Sequence, residues 1–454
     1  MTTPRRKRQS TAAPAPALAA LPPVWSERQA EAHLRSLELF GMRFGLDRMR
    51  RMMTVLGAPQ SRYETVHVLG TNGKTSTTRM TAAILERHGL STAAYTSPHL
   101  ISYTERVQVG ERDIAEAQLA AAIARAAWAA ERVNRTLAAD DHVTQFELLT
   151  AAALWAMAER GVDVAVIEAG LGGRYDATSV IDSRVTVLTN VGLEHTRWLG
   201  PTVRDIAEEK LAVLGEGSAL ALGAGLAPEA LAVAERVARE RGARIATAPA
   251  EPSVPASLLA AKGEFQRRNF ALAELAARTY LRSVGVTASE QAIRDAALAT
   301  DVRGRLQVID EDPLTVLDGA HNPDAVRALV RALPELLGER PLALVLGVLD
   351  DKDAAAMLEA LLPLCERAWF TAPPSERALS PAALQSLARQ LGFDRVSCEA
   401  SPARALGDAR EWAARHGAAV LATGSVYLVG DLLEQREDRA ETEESGARRR
   451  RAAT

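Results

Sequence analysis

Lysine is scarce in this 454-residue chain. Of its 54 basic residues only Lys7, Lys74, Lys210, Lys262 and Lys352 are lysine, and the other 49 are arginine. Where arginine serves as the ordinary surface cation, a retained lysine marks places that need a compact amine able to lose its proton. Lys7, in a basic run near the N-terminus, shows that this is a tendency only. Cysteine is scarcer still. Cys365 and Cys398, 33 residues apart, make neither a disulfide framework nor a zinc motif, and they fit a reducing, cytoplasmic setting. There is no basic excess: a net charge of −3 and a pI near 6.3 argue against nucleic acid as partner. Nor does any apolar run reach the ~18 residues that would cross a bilayer. At roughly 150 residues per domain the length predicts two domains, or one with large insertions.

Residues 1–24 read as a solvated tail with a basic run, Arg5-Arg6-Lys7-Arg8, followed by Ala, Pro, Ser and Thr; the composition overlaps with that of an organelle transit peptide but has no secretory h-region. Residues 438–454 read as a second charged tail. Between them, short apolar runs alternate with alanine-rich helical stretches. The expected strands are 65–69, 162–167, 185–189, 306–309, 315–317, 342–346 and 419–422. Continuously apolar strands separated by helices mean parallel sheets buried on both faces, an α/β doubly wound class. The pattern pauses at Thr300-Asp301-Val302-Arg303-Gly304, which divides a domain over 25–302 from one over 303–437.

The sharpest local signal is Gly70-Thr71-Asn72-Gly73-Lys74-Thr75-Ser76, after the strand at 65–69 and before a helix expected over 76–88. Strand, glycine loop, lysine, hydroxyls and helix form a phosphate-binding loop, here shortened, with Val68 where a full version has glycine. Lys74 would reach the outer phosphates, and a hydroxyl of Thr75 or Ser76 would hold Mg²⁺. Later strands also end in polar groups, where α/β sheets place ligands. Glu168 precedes Ala169-Gly170-Leu171-Gly172-Gly173-Arg174 and can take a hard cation. His195, in Asn190-Val191-Gly192-Leu193-Glu194-His195, is open between a ligand and a structural role. Lys210, in Ile206-Ala207-Glu208-Glu209-Lys210, reads from its neighbours alone as a solvated helix cation. Glu168 and His195 are expected on neighbouring strand ends, facing the phosphate loop.

The phosphate loop, Thr96-Ser97-Pro98-His99-Leu100, Tyr103-Thr104-Glu105-Arg106-Val107, Glu168 to Arg174 with Asp176-Ala177-Thr178, and Asp318-Gly319-Ala320-His321-Asn322-Pro323 run in order over about 45–430. This set resembles the folylpolyglutamate synthase/dihydrofolate synthase family of the Mur ligase superfamily. The resemblance implies a P-loop-containing, doubly wound N-terminal ATPase domain and a smaller Rossmann-like α/β C-terminal domain. It implies an ATP-driven amide ligase, in which a folate or dihydropteroate carboxylate becomes an acyl phosphate that L-glutamate then attacks. Mg²⁺, two ions, would associate with Ser76, Ser97, Glu168 and His195, and Lys210 would carry a CO₂-derived carbamate. Asn72, Gly73, Lys74, Thr75, Ser76, Asn269, Arg305 and Asp318 would bind the nucleotide, with Lys74, Lys210 and His321 in catalysis. The pteridine end would draw on Arg43, Phe44, Thr144, Gln145, Phe146, Glu147, Arg174, Tyr175 and Asp176, although Phe146 equally suits a core position. The expected partners are small molecules, with no nucleic acid and no membrane, and the expected state is a monomer.

Three positions depart from the family pattern. Thr75 stands where a small glycine is commoner, Glu194 where aspartate is, and Arg303 where proline is. They bear on substrate choice rather than reaction type. Two other readings compete. A peptidoglycan-precursor ligase would share the chemistry, but about 45 ordered residues before Gly70 are too few for its usual nucleotide-sugar domain. A nucleotide switch would leave Glu168, His195 and Lys210 without a common purpose.

Overall fold

The structure is a computed structural model describing residues 24–37 and 45–438. The expectations for the bulk of the two tails, and those for Arg43 and Phe44, lie outside the described residues. Two sheets organise the chain. The first contains β1 (Glu64–Leu69), β2 (Thr92–Tyr95), β3 (Val107–Val109), β4 (Arg112–Asp113), β5 (Val164–Glu168), β6 (Val185–Leu188), β7 (Ala219–Leu222) and β8 (Arg244–Thr247), in the order β4-β3-β2-β5-β1-β6-β7-β8. It is parallel from β2 through β8, with β3 and β4 added antiparallel at one edge. The second contains β9 (Gln307–Glu311), β10 (Leu314–Leu317), β11 (Leu342–Leu346), β12 (Cys365–Phe370), β13 (Val396–Cys398) and β14 (Ala419–Thr423), in the order β13-β12-β11-β14-β10-β9. Here β9 is antiparallel to β10, because the link between them is too short for a crossover helix. The α/β doubly wound class stands.

Side chains of the central strands in each sheet alternate between two buried faces, as the period of a strand requires. In β5, Val164 and Val166 join one core cluster and Ala165 and Ile167 another. In β11, Leu342, Leu344 and Leu346 face one side and Ala343 and Val345 the other. The helix Lys74–Arg87 packs along the helix Glu264–Ser283 on the first sheet. Val302 belongs to a core cluster of the first sheet and Leu306 to one of the second, so the hydrophobic cores part within four residues. A few side chains cross over: Leu100 and Ile101 pack against the second sheet's core, and so does Phe265.

Strand order places the site. From β1 the chain moves to β2 on one side, and it later returns to β6 on the other. The direction of winding therefore reverses at β1/β6, and the crevice beyond their carboxyl ends is where such a sheet binds ligands.

Candidate active site

The loop between β1 and the helix Lys74–Arg87 sits in that crevice. Two of its glycines are required by geometry. Gly70 has φ of +146° and a Cβ there would overlap Thr189 Oγ1; Gly73 has φ of +80° and a Cβ would overlap Asn269 Oδ1. The segment after β6 laces the loop in place. Thr189 Oγ1 donates to Asn72 O at 2.6 Å, and Asn72 N donates to Asn190 Oδ1 at 2.9 Å. Gly192 N donates to Thr71 Oγ1 at 3.0 Å. The helix begins at Lys74, two residues before the expected Ser76, because Gly73 in a left-handed conformation provides the N-cap.

Two lysines converge on one carbonyl. Lys74 Nζ donates to Gly70 O at 3.2 Å and Thr71 O at 3.0 Å, and Lys210 Nζ donates to the same Gly70 O at 3.0 Å. Lys210 is buried, with the backbone of Gly173 pressed against it. Burial first, and then the Lys74 charge, brings its amine from 10.5 down to about 7. The solvated-cation reading of Lys210 is thereby overturned. Its helix, Val203–Leu211, turns Glu208 outward and Lys210 into the protein.

Glu168 ends β5, fully buried. Thr75 Oγ1 lies 3.0 and 2.9 Å from its two oxygens, and Ser97 N donates to it at 3.2 Å. Burial pushes its carboxyl up, and Lys74, Thr75 and Ser97 oppose that. His195 follows β6 with φ of +53°, half-buried, and burial lowers it to about 4. The expected adjacency of Glu168 and His195 is corrected by the strand order: β5 and β6 flank β1 on opposite sides, so the phosphate loop runs between the two residues. Both still border one cleft of about 460 Å³, together with Asn72 to Ser76 and Ser97. Among the described residues no group of three or more His, Cys, Asp or Glu could hold a metal. One carboxylate with hydroxyls, completed by phosphate oxygens and water, is nevertheless a donor set that suits Mg²⁺.

The C-terminal domain forms the opposite wall with Arg305, Asp318 and His321. Asp318 directly follows β10, and its two oxygens accept from Leu306 N at 2.9 Å and Ala320 N at 2.8 Å, tying the inter-domain link to the strand end. His321 Nδ1 lies 2.8 Å from Gly319 O, which assigns the proton to Nδ1 and leaves Nε2 free to accept; burial lowers the ring to about 4. Asn269, on the helix Glu264–Ser283, touches Gly73 from the first domain's side of the cleft.

Two family models cover the two walls: the Mur ligase middle domain matches residues 68–219, and the Mur ligase glutamate ligase domain matches residues 304–426. The folylpolyglutamate synthase of Lacticaseibacillus casei is 34% identical over 404 residues, 84% of this chain and 92% of that one. The chain belongs to the folylpolyglutamate synthase/dihydrofolate synthase family of Mur ligases. The dihydrofolate synthase/folylpolyglutamate synthase of Escherichia coli is 30% identical, covering 90% and 94% of the two chains. The Mycobacterium tuberculosis folylpolyglutamate synthase complexed with ADP superposes with a TM-score of 0.83 at 30% identity, over 90% of this chain and 98% of that one. Escherichia coli FolC in complex with DHPP and ADP gives 0.79 at 29%, over 92% and 99%. As a member of this ligase family the chain is an enzyme rather than a nucleotide switch.

The residues this family resemblance pointed to at the pteridine end are placed differently from the nucleotide set, since none of those described borders the large cleft. Thr144 and Glu147 form the capping box of the helix Gln145–Arg160, and Gln145 Nε2 donates to Leu34 O at 2.7 Å. Buried Glu147 also accepts from Arg48 Nε, 3.0 Å from each of its oxygens. Arg174 pairs with Glu209 at 3.2 Å, and Tyr175 is exposed. Phe146 packs against the core and, with Asp176, closes on Gly170. Asp176 accepts from Leu171 N at 2.8 Å and from Thr178 Oγ1 at 2.6 Å, which fixes the glycine-rich turn.

Sequence reasoning assigned no role to three groups that the fold brings to the cleft or against its wall. Asn322 exchanges amide hydrogen bonds with Asn72, at 2.9 and 3.3 Å, across the two domains. Glu105 collects the N–H groups of Leu100, Ile101 and Ser102 at 2.8–2.9 Å, shaping the loop that carries Ser97. Glu194 meets Lys352 of the second domain. Asn190 follows the end of β6 and Asn322 caps the helix Pro323–Leu337, both places where a polar residue was already the signal; the pairings were not readable.

Proposed function

We propose that this chain is an ATP-dependent amide ligase that adds L-glutamate to a folate or dihydropteroate carboxylate through an acyl phosphate, releasing ADP and phosphate. A phosphate loop on one wall of a cleft and the polar strand ends of a second domain on the other carry this reading. ATP lies with its phosphates on the N–H groups of 70–76, at a helix N-terminus that favours anions. Lys74, folded onto its own loop carbonyls, swings to the outer phosphates. Asn269 meets the base, and Arg305, Asp318 and His321 approach from the second wall. A carboxylate is a poor acylating agent at neutral pH, and phosphorylation supplies the leaving group. Two Mg²⁺ ions, held by Ser76, Ser97, Glu168 and His195, would offset the repulsion between phosphate and carboxylate. A carbamate on Lys210 would supply an anion to support them. The domains span 25–302 and 303–437, with Arg303-Gly304 as the hinge that opens the cleft, and Thr144 to Glu147, Arg174, Tyr175 and Asp176 shape the pteridine end from behind the glycine-rich turn. A cytoplasmic location accompanies this reading.

ADP release tests it. With ATP, Mg²⁺ and L-glutamate, either dihydropteroate or tetrahydrofolate should produce ADP that depends on both the acceptor and glutamate. ADP release that continues unchanged without glutamate overturns the ligase reading.

A further inference from the structure

Two residues so far without a role meet across the cleft. Glu194 follows β6 in the first domain, and Lys352 follows β11 in the second. Lys352 Nζ donates to Glu194 Oε1 at 3.0 Å, and their side chains are only 12% and 13% exposed. The same oxygen lies 3.8 Å from His321 Nε2 and 3.7 Å from His195 Nε2. Lys352 is the cation within hydrogen-bond reach of Glu194. Asp351 steers Lys352 from its own domain at 3.5 Å, and Arg377 stands 3.3 Å from Asp351 on the far side. The Asn72–Asn322 pair spans the same gap. The phosphate end of the cleft is therefore bridged by polar contacts, beside the few apolar side chains, Leu100, Ile101 and Phe265, that cross between the two cores.

We propose that Glu194 is a positioning residue: by binding Lys352 across the cleft it draws His321 and the turn after β11 onto the phosphate end, so that domain closure and assembly of the site are one event. The inference rests on the ligase reading. The side chain's length is part of the argument. An aspartate would end one C–C bond, about 1.5 Å, short of the present oxygen and would fall outside hydrogen-bond reach of Lys352. A glutamine would keep the reach and strand the lysine charge in a nearly closed site.

The test is a double-mutant cycle on the full-length enzyme with Glu194→Gln, Lys352→Met and both together. Each single variant should lower kcat for glutamate-dependent ADP release about tenfold or more, because truncating one partner of a buried charge pair leaves the other unpaired and weakens the closed state. KM for ATP should move less than threefold, because the phosphate loop is untouched. The double variant should be no worse than the poorer single one, since either change already removes the contact. Glu194→Asp should fall with Glu194→Gln. Solution X-ray scattering gives a readout independent of turnover: at equal ADP the Glu194→Gln enzyme should have a larger radius of gyration than the parent. Losses that multiply in the double variant, or an Asp variant with parental kcat, overturn the proposal. If the parent itself releases no ADP, the ligase reading fails, while the scattering comparison still decides the latch.

Discussion

Replacing Lys210 tests the least ordinary feature of this site, an amine buried against a carbonyl that it shares with Lys74. Carbamate formation joins a neutral amine to CO₂ and releases a proton, so the neutral fraction sets how readily it occurs. At pH 7.5 a lysine at the ordinary 10.5 is neutral in about one molecule in a thousand, whereas one at about 7 is neutral in about three of four. Burial and the Lys74 charge therefore raise the reactive fraction several hundredfold. The sign follows: raising pH removes the proton, so carbamate occupancy and ADP release should climb through a midpoint near 7 and be weak below 6. Lys210→Met fills nearly the same volume without an amine, and Lys210→Arg puts a permanent cation in its place. Either should cost about 10²–10³ in turnover, the usual loss when a well-placed electrostatic group is removed from a site of this kind. Acetate should restore part of the rate to Lys210→Ala. Carbon-13 spectra in labelled bicarbonate should show a carbamate signal above pH 8 in the parent that Lys210→Met lacks. A Lys210→Met enzyme with parental ADP release, or a parent without the signal, refutes the reasoning.

Two further substitutions separate binding from folding. Gly73→Ala forces a Cβ onto Asn269 at a φ of +80°, so it should weaken nucleotide binding at least tenfold by calorimetry and lower unfolding stability by about 1–3 kcal/mol. Arg48→Met strands the buried Glu147 carboxylate, whose partner is only 7% exposed, and should lower stability in urea by about 3–5 kcal/mol while the dissociation constant for ADP stays unchanged. A weakened ADP constant in that variant would tie the capping region to the nucleotide after all.

Local order alone determined the phosphate loop, because every part of it lies within one strand–turn–helix and the backbone requirements at Gly70 and Gly73 are written in consecutive residues. It also determined the apolar central strands β1, β5, β6 and β11, whose β-branched and leucine runs suit burial on both faces. It did not reveal β2, Thr-Ala-Ala-Tyr, or β7, Ala-Leu-Ala-Leu, since short, alanine-rich segments carry too little β-branched or aromatic content to stand out and become strands only when a sheet supplies neighbours. Thr144 and Glu147, which the resemblance assigned to the pteridine end, turn out to cap the helix Gln145–Arg160, and Arg48, 99 residues away, settles what the carboxylate does. Lys210 shows the limit most clearly. Its neighbours Glu208 and Glu209 suggest water, and only the packing of Gly173 and the carbonyl of Gly70, 140 residues distant, takes it out of solvent and moves its proton. Charge state depends on what surrounds a group in space. The sequence supplied the amine, and tertiary structure decided its burial and its pKa.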